Sequence, residues 1–364
     1  MLGSGIVVPL LPLYAESLGA SGLWLGIIFA GFPISRTLAT PFFGRLSDRR
    51  GRKLFISIGL LAYGILSFGY IWANTVMLLI LVRFLQGVSG ALILPIAQAY
   101  VGDISPPGEE GKWMGYANAA FFSGFGFGPL MGGMLTEHLG MNVAFLSMGG
   151  LSLLAFVITA FFLPEISPRQ SAHHYPSLIE MSRSSIMSGL FTFRLFLTLG
   201  RTTFFTFLPI FAAFSLALRP SIVGILLTVF SLLMSLLGIP AGRIADRVSR
   251  RLLIIIGCLI SSVFLIGVPL AHNFGLLLAL VVLGSLGGAI AVPAGSALAV
   301  EEGRKYGMGS SIAYYSMAVS IGMVVGPITG GAIIDLTGIN SVFYFGAVMT
   351  LLGAGLFTWL SRPR

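Results

Sequence analysis

Twelve runs of mainly apolar residues fill this chain almost end to end, each close to the roughly 20 residues a helix needs to cross a bilayer. They cover residues 2–18, 22–43, 54–73, 76–101, 112–136, 142–163, 186–212, 221–242, 252–271, 275–299, 307–335 and 341–360. Hydrocarbon offers the backbone no water, so such segments must satisfy their own N–H and C=O groups as helices. Only 9% of the 364 residues are charged, against roughly 25% in soluble domains. The connections are too short for a sizeable soluble domain. The expected fold class is all-α integral membrane, with twelve transmembrane helices. The first segment lacks a basic n-region and a cleavage site, so it reads as part of the fold rather than as a removable signal.

Charge placement gives the orientation. Gly44–Lys53, GRLSDRRGRK, packs five cations and Asp48 into ten residues between two apolar runs. If that side is the inside, then Arg45, Arg49, Arg50, Arg52, Lys53, Lys112, Arg169, Arg183, Arg243, Arg247, Arg250, Arg251, Arg304, Lys305, Arg362 and Arg364 all fall on inner loops and tails. The outer loops hold only Arg219, and Arg36, Arg83, Arg194 and Arg201 lie within spans. The positive-inside rule then places both termini in the cytoplasm of a multi-pass protein of the cell membrane. The same distribution accounts for most of the net charge of +9, so the basic balance calls for no nucleic-acid partner.

The basic segment is written twice. Gly44, Arg45, Asp48, Arg49 and Arg52 recur 198 residues later as Gly242, Arg243, Asp246, Arg247 and Arg250. At the same offset Pro95 recurs as Pro293, and Gly124, Gly128, Pro129, Gly132 and Gly133 recur as Gly322, Gly326, Pro327, Gly330 and Gly331. The chain therefore divides into two pseudo-symmetric six-helix bundles in parallel repeat, residues 1–163 and 186–364, joined by a cytoplasmic linker, 164–185. Leu11-Pro12-Leu13 matches Leu208-Pro209-Ile210 in the seventh span. On that match the first span begins about a dozen residues before Met1, so the first helix reads as truncated.

Three motifs carry chemistry. The basic segment needs cations for topology, but topology alone requires neither Asp48 nor Gly44 and Gly51. Asp48 can accept from neighbouring arginines or cap a helix N-terminus, and Gly44 suits close approach at the end of the second span. In the fourth span Arg83, Gln86, Gly87 and Gly90 share one helical face. Arg83 sits about 10 Å into the span, where a cation either snorkels outward or faces a cavity or partner. In the fifth span Gly124, Gly128 and Gly132 make a smooth face for another helix, and Pro129 removes a backbone donor and bends the span.

Two six-helix halves with this loop between spans two and three resemble the major facilitator superfamily over essentially the whole chain. Gly44, Leu46, Asp48, Arg49, Gly51, Arg52 and Lys53 match the family's loop pattern, which the resemblance implies is a latch of one conformation, with Asp246 and Arg247 as its echo. Arg83-x-x-Gln86-Gly87 is similar to the family's fourth-span motif, associated with proton transfer in antiporters. Gly124-x3-Gly128-Pro129-x2-Gly132-Gly133 resembles its antiporter motif. The likeness is greatest to the twelve-helix drug:proton antiporter branch, which implies a monomeric transporter whose partners are a small-molecule substrate, protons and the lipid bilayer.

The acids raise a difficulty for that branch. All twelve lie in loops or near span ends, and Glu16 is the only carboxylate placed to couple protons in the first span. The embedded charges are instead positive. A cavity lined by Arg36, Arg83, Arg194 and Arg201, with Asn118 as further polar lining, would draw anions. The expected function is proton-coupled efflux of small amphipathic compounds by alternating access, and the alternative is transport of an anionic metabolite through the arginine-lined cavity. A receptor or a lipid scramblase would not need the repeated loops. No catalytic constellation or metal-ligand spacing stands out, and the four histidines fall outside the spans, so neither enzyme chemistry nor a cofactor or metal is expected.

Overall fold

In a computed structural model, residues 2–104, 110–165, 178–245, 248–306 and 308–361 are described. Among them there is no strand. The helices are α1 (Leu2–Ser17), α2 (Gly22–Arg50), α3 (Arg52–Trp72), α4 (Val76–Ile104), α5 (Glu110–Leu139), α6 (Met141–Phe162), α7 (Leu178–Arg183), α8 (Ser185–Leu216), α9 (Pro220–Ala245), α10 (Arg250–Gly267), α11 (Phe274–Tyr306), α12 (Met308–Thr337) and α13 (Ile339–Leu360). A short 3-10 turn, Val268–Leu270, extends α10. Ten of these helices are long and apolar enough to cross a membrane, and α1 is a shorter apolar helix. Each expected span has its helix. The expected linker contains one element that apolar patterning could not show, the six-residue α7.

The helices gather into two compact units. One comprises Met1–Ala20, Ile27–Ala172 and Arg219–Thr228, the other Ser21–Gly26, His173–Leu218 and Val229–Arg364. In the first, α1 packs on α5 and α6, and α3 packs on α4 and α6. In the second, α8 packs on α12 and α13, and α10 on α11 and α13. The 198-residue repeat thus recurs as the same packing order. Small residues permit it. Gly59 of α3 sits against Ser89 and Leu92 of α4, and its repeat partner Gly257 of α10 sits against Gly287 and Ala291 of α11. Lipid tails supply little hydrophobic drive between helices, so close backbone approach and dispersion hold them together.

Aromatic rings complete each unit. In the first, Tyr70 stacks on Phe145 with centroids 4.8 Å apart, Tyr14 meets Phe145 edge-on at 5.4 Å, and the Tyr14 hydroxyl donates to the Tyr70 and Ala73 carbonyls. In the second, Phe211 meets Phe343 edge-on at 5.4 Å. Gly140 and Gly338, at φ 88° and 89°, turn the chain sharply into α6 and α13, which only glycine does without strain.

Substituting Gly257 by Leu should overpack the α10–α11 seat and cost about 1–3 kcal/mol. Gly150, with open space where a Cβ would stand, should accept Leu. Thermal unfolding in detergent compares the two; equal loss of stability would contradict these seats.

Candidate functional site

The basic segment is helix for most of its length. α2 continues through Gly44 to Arg50, and the chain breaks only at Gly51, with φ 93°. Apolar patterning ends where the helix leaves the hydrocarbon, whereas the backbone hydrogen bonds do not. Gly44 is therefore not a helix end, and no described atom lies within 4 Å of where its Cβ would stand. The close approach belongs instead to Gly51, where a Cβ would run into the Glu165 carboxylate. Arg52 opens α3 and pairs through Nε with Asp103 of α4, with only 10% and 11% of the two side chains exposed. Lys53 beside it is partly exposed. The side chains of Asp48 and Arg49 lie outside the described residues, as do Asp246 and Arg247.

The Arg52–Asp103 pair recurs. Arg250 Nη1 donates to Glu301 Oε2 at 2.6 Å, and both residues stand at the 198-residue offset. Sequence reasoning missed Asp103 and Glu301 as functional partners, although the offset that revealed the other matches applies to them. The Arg52–Asp103 pair is shielded from water and so counts for more than the Arg250–Glu301 pair, in which 55% of the Glu301 side chain is exposed.

In the first unit, Arg83 of α4 lies over the rings of Phe32 and Phe29 of α2, at 5.0 and 5.9 Å. Arg36 approaches the same Phe32 ring at 5.9 Å. The Arg83 guanidinium lies close to the Tyr70 hydroxyl. That hydroxyl donates to Gln86 Oε1 at 2.6 Å, and Gln86 Nε2 donates to Ser67 Oγ at 3.2 Å. Gln86, fully buried, thus holds Tyr70 in place and faces no open space. Arg83 Nε is buried without a hydrogen-bond partner. Glu16 is half-buried at the end of α1, and no ion pair joins it to Arg83 among the described residues. Sequence periodicity brought Arg83 and Gln86 to one face; it could not show that Phe32 sits between Arg83 and Arg36.

The glycine motif has two faces. One step after Gly124 on α5, Gly128 touches Gly5 of α1, and Gly132 touches Ile6. Gly133 and the Pro129 carbonyl face the other way, to Pro220 and Gly224 at the start of α9, while the Pro129 ring stays beside Gly5. Leu130 N–H, close to the proline break, donates to Thr228 Oγ1 at 3.1 Å. The repeat in α12 does the same: Gly326 meets α8, while Gly331 and Pro327 meet Gly22 and Gly26 at the start of α2. Asp335 then caps α2, accepting from Gly22 N–H at 2.6 Å and Leu23 N–H at 2.8 Å. An anion at a helix N-terminus also meets the favourable end of the dipole. Its repeat partner Glu137 lies just past the fifth span, 3.3 Å from Arg219. The Ser221 hydroxyl, then Arg219 and the Ser221 main chain, hold the Glu137 carboxyl below the usual range.

In the second unit, Arg194 of α8 lies over the Tyr315 ring at 5.3 Å, and Arg201 Nη1 reaches the Met234 sulfur at 3.7 Å. The four arginines expected to line one cavity are thus grouped by unit, Arg36 with Arg83 and Arg194 with Arg201. The Asn118 side chain lies outside the described residues.

A description of the Major Facilitator Superfamily matches residues 1–193 and again 190–364. The chain belongs to that superfamily. It is 29% identical to an MFS-type transporter of Methanocaldococcus jannaschii, covering 100% of this chain and 95% of the relative. It is 27% identical to the multidrug resistance protein MdtG of Salmonella arizonae, covering 99% and 91%. Its fold is similar to that of the nucleoside transporter NupG, with a TM-score of 0.84 at 15% identity over 99% of this chain and 96% of that one. The protein is a multi-pass membrane transporter resembling the drug:proton antiporter branch, and not an enzyme.

Gly51→Ala should strain the turn into α3 by about 1–3 kcal/mol and slow transport, because the left-handed φ and the Glu165 contact both exclude a Cβ. Gly44→Ala should leave flux near wild type. Initial rates in proteoliposomes separate them; an inert Gly51→Ala would remove this glycine from the site.

Proposed function

We propose that this transporter exports small amphipathic compounds in exchange for protons, as a monomer in the cell membrane with both termini in the cytoplasm. The two repeats alternate access to a substrate bound near mid-membrane. The observation that carries this reading is Arg83, a deeply placed cation set between Phe32, Phe29 and Tyr70 without an acid in contact among the described residues. Intramembrane cations of this kind mark ion and substrate routes. Gln86 and Ser67 fix the Tyr70 hydroxyl, so Arg83 has one preferred partner and answers to any charge that arrives beside it.

Two further features support export by exchange. The α5 motif matches the antiporter pattern, and its glycines let α1 and the start of α9 close on one bent helix. MdtG-type relatives of nearly full overlap carry multidrug resistance names. Arg52–Asp103 and Arg250–Glu301 lie at the basic ends of the two repeats and stabilise one arrangement of those ends, with the neighbouring Asp48 and Asp246 segments as the latch.

The test is flux into proteoliposomes under an imposed pH gradient. Uptake of a fluorescent amphipathic compound should follow the gradient and collapse when it is dissipated. Arg83→Ala should lose gradient-driven flux by tenfold or more while the protein remains folded. Gradient-independent movement, or wild-type coupling in Arg83→Ala, would overturn the reading.

A further inference from the structure

α8 is the longest polar anomaly of the second unit. Its 32 residues rise about 48 Å, well beyond the roughly 30 Å hydrocarbon core. Arg201 is its seventeenth residue, midway along, so its head group cannot snorkel to either surface. Arg194 stands two turns earlier on the same face.

Among the described residues neither cation meets an acid. Arg194 Nε and Nη1 are buried without a hydrogen-bond partner, and so is the hydroxyl of Tyr315, over whose ring Arg194 lies. Arg201 Nη1 donates to the Met234 thioether, and sulfur is a weak acceptor. In sequence the acids from the linker onward, Glu180, Asp246, Glu301, Glu302 and Asp335, fall in the linker, in loops or near the ends of the expected spans. An isolated ion in such a place is strongly unfavourable. Two guanidinium groups and a free hydroxyl on one face form a donor set without an acceptor, and guanidinium groups match carboxylate and phosphate oxygens two at a time.

The surroundings of Arg201 define the rest of the ligand. A cavity of about 20 Å³ beside it is walled by Leu197, Phe230, Phe264 and Val292, and Met234 lies on its other flank. That cavity holds no more than a water, so it is not itself the ligand's seat. Its walls are mostly apolar, with the Ser261 and Thr350 side chains as the polar members beside Arg201, and none of them carries a charge to answer it.

We propose that the Arg194–Tyr315–Arg201 face of the second unit binds the anionic head, a carboxylate or phosphate, of an amphipathic substrate. The inference rests on the reading above that the cargo is amphipathic, and it names the cargo's charge. A cationic compound is repelled from this face, and a neutral one loses the charge-assisted hydrogen bonds.

Equilibrium binding tests this without any gradient, so it stands or falls separately from proton coupling. The full chain is placed in phosphatidylcholine nanodiscs and titrated with four fluorescent probes sharing one ring body: 1-naphthoate, 1-naphthyl phosphate, 1-naphthylmethylammonium and 1-naphthylmethanol. The two anions should bind saturably and about tenfold or more tighter than the ammonium. Arg194→Gln and Arg201→Gln should each weaken the anions about tenfold and leave the alcohol unchanged, with Arg194→Lys restoring part of the loss. Should Arg201→Gln fail to fold, Arg194→Gln and Arg194→Lys carry the comparison. Equal affinity for the ammonium, or anion binding indifferent to both arginines, overturns the proposal. So does loss of probe binding when phosphatidylglycerol is added to the disc, since the site would then hold a lipid head group.

Discussion

A charge inside hydrocarbon must be paired, laid against a ring or carried to water, and this protein is arranged around that constraint. In the sequence reading sixteen of its 21 Lys and Arg fall on the loops and tails of one side, where water and lipid head groups can receive them. At the helix ends Arg52 takes Asp103 and Arg250 takes Glu301. The four cations left in the spans find rings instead of acids, apart from Arg201 with its thioether. Carboxylates are spent at the edges, where Asp335 caps a helix and Glu137 meets Arg219. The membrane interior of the chain is therefore positive by construction.

Repetition turns that constraint into a machine. Each half carries one GPxxGG helix, and each such helix offers glycines to two neighbours on opposite faces. Gly132 and Gly133 are adjacent in sequence yet meet α1 and α9 respectively. Close seats of this kind allow backbones to slide or rock without breaking side-chain interdigitation, because few side chains stand between them. The capping carboxylates then hold the starts of α2 and α9 with interactions that water can replace.

Much of this was legible in the chain itself. Twelve apolar runs marked the twelve long helices, most ends to within four residues, because apolar patterning is local, whereas the compact units of the structure exchange the segments 21–26 and 219–228 relative to the expected halves. What remained hidden depends on which side chain meets which. Apolar patterning stops at the water boundary, so it ended α2 at residue 43 although the helix runs to Arg50. Gly44 invited a close-approach reading that Gly51 carries instead. Gln86 shares a helical face with Arg83, but its amide is consumed by Tyr70 and Ser67. Phe32, an ordinary apolar residue in sequence, proves to be the ring between Arg36 and Arg83.

The proposed function rests on the two repeated units giving alternating access to one site. Spin labels test it most directly, in a Cys258→Ser background. One pair goes on the basic ends of α2 and α10, at Arg50 and Leu252. The other goes on the opposite ends of α5 and α12, at the exposed Leu139 and Leu336. Electron–electron distance measurements at acid and alkaline pH should show one pair separating as the other draws together. Distances that change in the same sense at both ends, or at neither, would contradict alternating access.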